Sequence, residues 1–157
     1  MRTRTTAREK LEKEQEAKIV DIPPKMAKRF GTGKMLIPRP LDVDALIRKV
    51  KKGKLVTQAQ IRERLAKDFH ADCACPITTG IFIWIAAEAA EEDRSGGKRQ
   101  ITPYWRVIKP DGSLNEKFPG GTKAQAARLR KEGHSVQAGK GKKPPSVKDF
   151  EKFLQKL

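Results

Sequence analysis

Cysteine is nearly missing from this 157-residue sequence: there are two, Cys73 and Cys75. One intervening residue is too short a span for an unstrained bridge, which excludes a disulfide framework and points to a reducing compartment. His70 lies close by in sequence, but no second ligand pair accompanies the cysteines, so neither a metal nor any other cofactor is expected. Long apolar runs are missing as well. The longest, Ile81 to Ala87, falls far short of the ~20 residues that cross a bilayer, so a membrane is not an expected partner. The charged start, Met1-Arg2-Thr3-Arg4, is followed by no apolar stretch, and no secretory signal is expected. Acidic residues are outnumbered, 19 against 35 basic, for a formal net charge of +16.

That excess favours a polyanionic partner. Residues 1–35 carry 10 basic and 5 acidic side chains, net +5; residues 36–136 carry 19 and 12, net +7; residues 137–157 carry 6 and 2, net +4. The ends are the most positive per residue, a pattern that suits a folded reader flanked by arms that grip phosphates. The organisation expected is therefore a basic N-terminal extension over 1–35, one folded domain over 36–136, and a basic linker with a C-terminal amphipathic helix over 137–157. A monomer in the cytoplasm, associated with the nucleoid, fits this balance.

Residues 7–18 read as a charged helix or an unstructured arm. Arg8/Glu12, Glu9/Lys13 and Glu14/Lys18 have i,i+4 spacing, but Leu11 alone can anchor a face. Pro23-Pro24 opens a short helical turn that Gly31 ends. The core is expected to begin after Pro40. Val43, Leu46, Ile47 and Val50 have helical spacing, and Gly53 stops the run. Leu55-Val56 is a short extended piece, and Thr57 caps a second helix with Ile61 and Leu65 inward. A turn over 70–77 leads into a third helix, capped by Thr78 or Thr79. Its apolar body over 80–92 places Ile81, Trp84, Ile85 and Ala89 on one buried side. Ile101–Ile108 reads as a strand, and Pro110-Asp111-Gly112 as a hairpin turn. Thr122 caps a fourth helix ended by Gly133. Residues 139–145 read as a flexible linker, and Ser146 as the cap of a last helix carrying Val147, Phe150, Leu154 and Leu157. The fold class expected is mainly α with a small β-hairpin: a winged helix-turn-helix whose recognition helix starts near Thr78.

Four short motifs add a resemblance. In order they are Gly53-Lys54-Leu55-Val56-Thr57, Pro103-Tyr104-Trp105-Arg106-Val107, Phe118-Pro119-Gly120-Gly121 and Glu132-Gly133-His134. From about Pro38 to Val136 the chain resembles the DNA-binding domain of the O6-alkylguanine-DNA alkyltransferases and the alkyltransferase-like proteins. It is more closely similar to small bacterial members that lack the N-terminal domain. The resemblance implies a minor-groove binder of alkylated DNA. It also implies that the alkyl-accepting cysteine position is Tyr104 and that the activating histidine position is Trp105. A phenol near pKa 10 is a poor nucleophile at neutral pH, and an indole takes no proton from one. Glu132 matches the carboxylate that orients the histidine and is left with nothing to orient. The stretch that carries the family's base-displacing arginine has none here; Ile77 is the nearest match, an apolar wedge that can unstack a base step. The family tyrosine that presses on the target phosphate falls near Gln58.

The expected function is therefore non-catalytic recognition of alkylated or distorted bases in duplex DNA, with repair proteins as possible partners. DNA contacts are expected from Thr57, Gln58 and Ile77, and from Thr78 and Thr79 at a helix N-terminus. Arg106, Gly120, Gly121 and Lys123 complete the contact set, with Arg106 also able to brace the site loop. Tyr104, Trp105 and Phe118 are expected to line a pocket that stacks a base. Two alternatives stay open: a divergent alkyl acceptor using Cys75, and an RNA- or ribosome-associated basic module.

Overall fold

Three helices, α3 (Pro40–Arg48), α4 (Gln58–Asp68) and α5 (Pro76–Ser95), form the centre of the computed structural model, which describes residues 6–13 and 15–157. The expected Glu14/Lys18 pair and the charged start at 1–4 lie outside the described residues. Pro40 at the first position of α3 has no amide to leave unpaired. The Asp42 carboxylate accepts from the Arg39 backbone amide at 3.0 Å. Thr57 and Gln60 form a reciprocal capping box that starts α4. Gly53, with φ 85, supplies the left-handed turn between α3 and α4.

The core extends N-terminal to Pro40. Helix α1 (Ala7–Glu12) ends well before residue 18, and Leu11 is fully buried against Ile85 and Ala89 of α5. The Glu92 carboxylate accepts from the Ala7 and Arg8 backbone amides at 2.8 and 3.0 Å. It so caps α1 from another element. Strand β1 (Lys18–Asp21) pairs antiparallel with β2 (Lys34–Ile37). The helical turn Pro24–Met26 and helix α2 (Ala27–Phe30) connect them, ended as expected by Gly31. In turn β2 pairs in parallel with β4 (Cys73–Ala74), inside what reads in sequence as a turn.

The rest of the chain departs further from its reading. The expected strand Ile101–Ile108 is extended only at β5 (Val107–Ile108); Tyr104–Arg106 is a 3-10 turn, and β5 pairs in parallel with β3 (Val56–Thr57), not with a hairpin partner. The turn at 109–113 is nonetheless formed: Gly112 donates to the Lys109 carbonyl at 2.8 Å, and Asp111 accepts from the Ser113 amide and hydroxyl. Helix α6 (Gly121–Lys131) is preceded by Gly120 in a left-handed conformation, so Thr122 sits inside the helix and is not its cap. Residues 139–145 close a hairpin between β6 (Val136–Gln137) and β7 (Ser146–Val147). The expected last helix is instead β7 plus a 3-10 turn, Phe150–Phe153. Pairing decides this: Leu55 donates to the Phe153 carbonyl and accepts from the Gln155 amide. A helix at 146–157 would forfeit both bonds. The architecture is mixed α/β among the described residues, with six helices and three small sheets, and not mainly α with one hairpin.

Two cores result. The larger packs Val43, Ile47, Val56, Ile61, Ile83 and Ala86 around Tyr104 and Phe118. The smaller gathers Leu55, Ile108, Leu114, Leu129 and Val147. The run of alanines at 86, 87, 89 and 90 lets α1 and α3, which also touch each other, both approach α5 closely.

Candidate nucleic-acid interface

Helix α5 is capped three residues before the first of its threonines. Cys75 is the N-cap and Pro76 the first helical residue. Thr78 donates its hydroxyl to the Cys75 sulfur at 3.3 Å, and Thr79 is 1% exposed. Neither caps the helix, and Thr79 offers no surface to a phosphate.

The exposed side of α5 is apolar. Ile77, Ile81 and Trp84 are 59%, 50% and 37% exposed. Their i, i+4, i+7 spacing puts them in one stripe. Ile81 and Trp84 thus face solvent, opposite to the sequence expectation. The helix is apolar nearly all round, and periodicity alone does not say which side the body covers. Here Ile83, Ala86, Ala87 and Ala90 take the inner side. Gly80 sits within the stripe with open space where a side chain would be.

This stripe forms one wall of an open groove of about 920 Å³. Gln58, at the start of α4, stands beside it. The loop after β5 forms the other wall, with Lys109, Asn115, Glu116 and Lys117. Buried Gln125 fixes that loop to the β5 segment. Its amide donates to the carbonyls of Trp105 and Val107, both at 3.0 Å, and its oxygen accepts from the Asn115 backbone amide at 2.9 Å. Lys10 places its ammonium 5.9 Å from the centre of the Trp84 ring, close enough for a cation–π attraction. The structure therefore brings together Gln58 and Ile77 of the expected contact residues. It adds Gly80, Ile81, Trp84, Lys109 and Lys117. No sequence signal marked the last two, because a lysine beside a turn reads the same whether or not it lines a groove.

The remaining expected contacts lie elsewhere. Thr57 is buried in its capping box. Gly120, Gly121 and Lys123 lie at the start of α6, outside the groove lining. Arg106 is committed internally: it donates to Glu132 through Nε and Nη2 at 2.9 and 2.7 Å, and to the Val50 carbonyl at 2.6 Å.

The expected base pocket is filled by its own aromatics. Tyr104 and Phe118 are 2% and 3% exposed and meet edge to face at 5.2 Å; Tyr104 meets Trp105 edge to face at 5.4 Å. No buried ring presents a face to a base. The Tyr104 hydroxyl donates to Glu91 at 2.7 Å. Burial, that hydrogen bond and the Glu91 charge push its pKa above the ordinary phenol value. Glu132 has gained work instead of losing it. It accepts from the Trp105 indole N–H at 3.1 Å as well as from Arg106. Burial opposes its charge, but those hydrogen bonds and the Arg106 charge hold its pKa below the usual carboxylate value. His134, expected as part of the Glu-Gly-His motif, is buried with both ring nitrogens unpartnered among the described residues and packs edge-on to Phe153.

Neither cysteine stands in the groove lining. Cys75 is 6% exposed. Cys73 is partly exposed, and burial together with Asp72 raises its pKa. Among the described residues no cluster of metal-ligating side chains occurs, and no helix is long and apolar enough to cross a membrane.

No protein-family model and no curated protein matches the chain. Two solved structures do. One is S. pombe Atl1 in complex with damaged DNA containing O6-carboxymethylguanine, at 16% identity and a TM-score of 0.52. The other is S. pombe ATL in complex with DNA, at 15% identity and a TM-score of 0.51. Each match covers 75% of this chain and 94% of the other. The chain resembles alkyltransferase-like proteins in fold, as its four motifs suggested.

Proposed function

We propose that this protein is a non-catalytic reader of alkylated or distorted duplex DNA that seats the outer face of α5 in the minor groove. The observation that carries the reading is the exposed stripe Ile77-Ile81-Trp84 along an open groove edged by Lys109 and Lys117, on a fold shared with a protein solved on damaged DNA. In this reading α4 and α5 act as a helix-turn-helix, and the loop at 109–117 acts as the wing.

The physical argument concerns fit. A helix with its side chains is about 10–12 Å across, and the B-form minor groove is about 6 Å wide. The duplex must open or bend, which costs of order 1–6 kcal/mol. Gly80 thins the helix where it would press deepest, and apolar side chains on either side of it can wedge a base step apart. A lesion that already weakens pairing lowers that cost, so the same surface favours damaged duplex without a base-specific hydrogen bond. Charge supplies the remainder of the affinity, on a chain with a formal net charge of +16. Neutralising about 6–10 phosphates makes binding fall by about 10³–10⁵ in affinity between roughly 50 and 200 mM salt. Chemistry is not needed: the acceptor position implied by the motifs is a buried phenol hydrogen-bonded to Glu91, and Cys75 is covered.

The test is fluorescence anisotropy with matched duplexes that differ by one O6-alkylguanine. The modified duplex should bind more tightly, and Trp84→Ala should weaken it by about 1–3 kcal/mol, the worth of one aromatic–base stack. Equal affinity for the two duplexes would defeat damage recognition. Equal affinity for A-form RNA would favour the RNA reading, because its wide, shallow minor groove suits a different surface. A mass gain on Cys75 after incubation with the modified duplex would establish alkyl transfer in its place.

A further inference from the structure

The residues that the motifs single out as a lost relay border a second feature. Lys52, Arg94, Trp105, Arg128, Lys131 and Glu132 line a hollow of about 420 Å³ between the C-terminal end of α5 and α6. Arg94 lies ten residues after Trp84 on the same helix, which is about 15 Å along its axis. The hollow is therefore separate from the groove described above.

Its charges do not balance. Glu91 accepts from Arg94 at 2.6 Å and from Arg128 at 2.7 Å, so one carboxylate serves two guanidiniums. Glu132 is occupied by Arg106. Lys52 and Lys131 are exposed and pair with no carboxylate among the described residues. Five cations, counting Arg106, stand against two carboxylates, a local excess of +3. The floor is rigid. Arg128 lies 4.3 Å and Arg106 5.5 Å from the centre of the Trp105 indole, and the indole N–H is tied to Glu132. Both guanidiniums are within cation–π reach of that ring. With its indole crowded in this way, Trp105 is a support for cations and not a stacking platform. Four of the six residues that line the hollow are cations, whose aliphatic stems and the Trp105 indole supply its apolar wall and whose charged heads supply its donors.

We propose that this hollow is a phosphate site that takes the sugar-phosphate backbone of nucleic acid at a point remote from the α5 groove. Guanidiniums already aligned by Glu91 offer fixed N–H donors, and the two lysines add unpaired charge at the rim. The presence of the site does not depend on the minor-groove reading; only the source of the phosphate does.

Two measurements test it. In the first, tripolyphosphate is titrated into the protein without DNA while the indole N–H resonances are followed by NMR. The Trp105 signal should move and the Trp84 signal should stay. A fixed Trp105 signal, or equal movement of both, would overturn the assignment. In the second, Lys52→Gln/Lys131→Gln is compared with the parent protein in the salt dependence of duplex binding. Both side chains are exposed, so folding is spared. Each lost phosphate contact removes about 0.9 from the slope of log K against log salt, so the double variant should lose about two units. Using duplexes of about 10 and about 30 base pairs locates the phosphate, since about 10 steps of ~3.4 Å span roughly 34 Å. A loss at both lengths assigns it to the strand already in the groove, and a loss confined to the longer duplex assigns it to backbone farther along. An unchanged slope at both lengths refutes the backbone as occupant. If the parent protein binds no duplex while the Trp105 signal still moves, the hollow stands as a phosphate site and the DNA reading falls.

Discussion

Glu132→Ala probes the rebuilt centre of the protein directly. The carboxylate is 8% exposed and Arg106 is 13% exposed. Its removal leaves the guanidinium with one carbonyl partner, Val50, and leaves the Trp105 indole N–H unpaired. Breaking a buried ion pair from one side costs about 3–5 kcal/mol, and an orphaned N–H costs about 1–3 kcal/mol. Arg106 keeps some access to water, so a total somewhat below the roughly 4 kcal/mol to which the two lower bounds sum, about 3 kcal/mol, is expected. For a chain of this size each kcal/mol moves the midpoint by about 2–4 °C, so the Tm should fall by about 6–12 °C. Glu132→Gln keeps an acceptor for the indole but no charge, and should cost about half as much. The folded-state pKa of Glu132 lies below the ordinary value of 4.5. Its stabilisation is therefore present above that value and drains away as pH falls through the lowered one. The gap between the parent protein and Glu132→Gln should narrow on acidification. Thermal unfolding by circular dichroism at neutral and acid pH measures both effects. An alanine variant within about 1 kcal/mol of the parent, or a gap that ignores pH, would refute the assignment of Glu132 as the clamp of Trp105 and Arg106.

Leu11→Ala should cost about 2–5 kcal/mol in urea unfolding, because the side chain is fully buried between α1 and α5. A near-zero cost would mean that α1 does not dock in solution. His134 is buried and its pKa is lowered, chiefly by desolvation, with Glu132 opposing. The unfolded chain takes up a proton there before the folded one does. Stability is thus whole above the ordinary value of 6.5 and falls as pH drops through it. His134→Leu should flatten that part of the stability–pH curve, and an unchanged curve would place the acid sensitivity elsewhere.

Much of the fold was legible where local chemistry and packing agree. Thr57 and Gly31 mark helix ends through bonds or dihedrals set within a few residues, and the structure places those ends there, whereas α3 stops at Arg48, short of Gly53. The region Ile101–Ile108 and the C-terminal segment differ from their local pattern because their backbone partners are distant. Val107 pairs with Val56, and Leu55 bonds to Phe153 and Gln155, contacts that no short window contains. Of the residues that line the candidate groove, the sequence pattern points to Gln58 and Ile77 and places Trp84 in the interior.

Composition, charge and four spaced motifs by themselves determined that the chain is basic, lacks a disulfide framework and resembles the alkyltransferase-like proteins in fold. Tertiary structure alone decided which side of α5 meets water, that Tyr104 and Phe118 close the space expected to hold a base, and that Glu132 clamps an indole and a guanidinium. The reason is physical: charge and residue identity are carried by single positions, but exposure and pairing belong to surfaces that exist only once distant segments have packed.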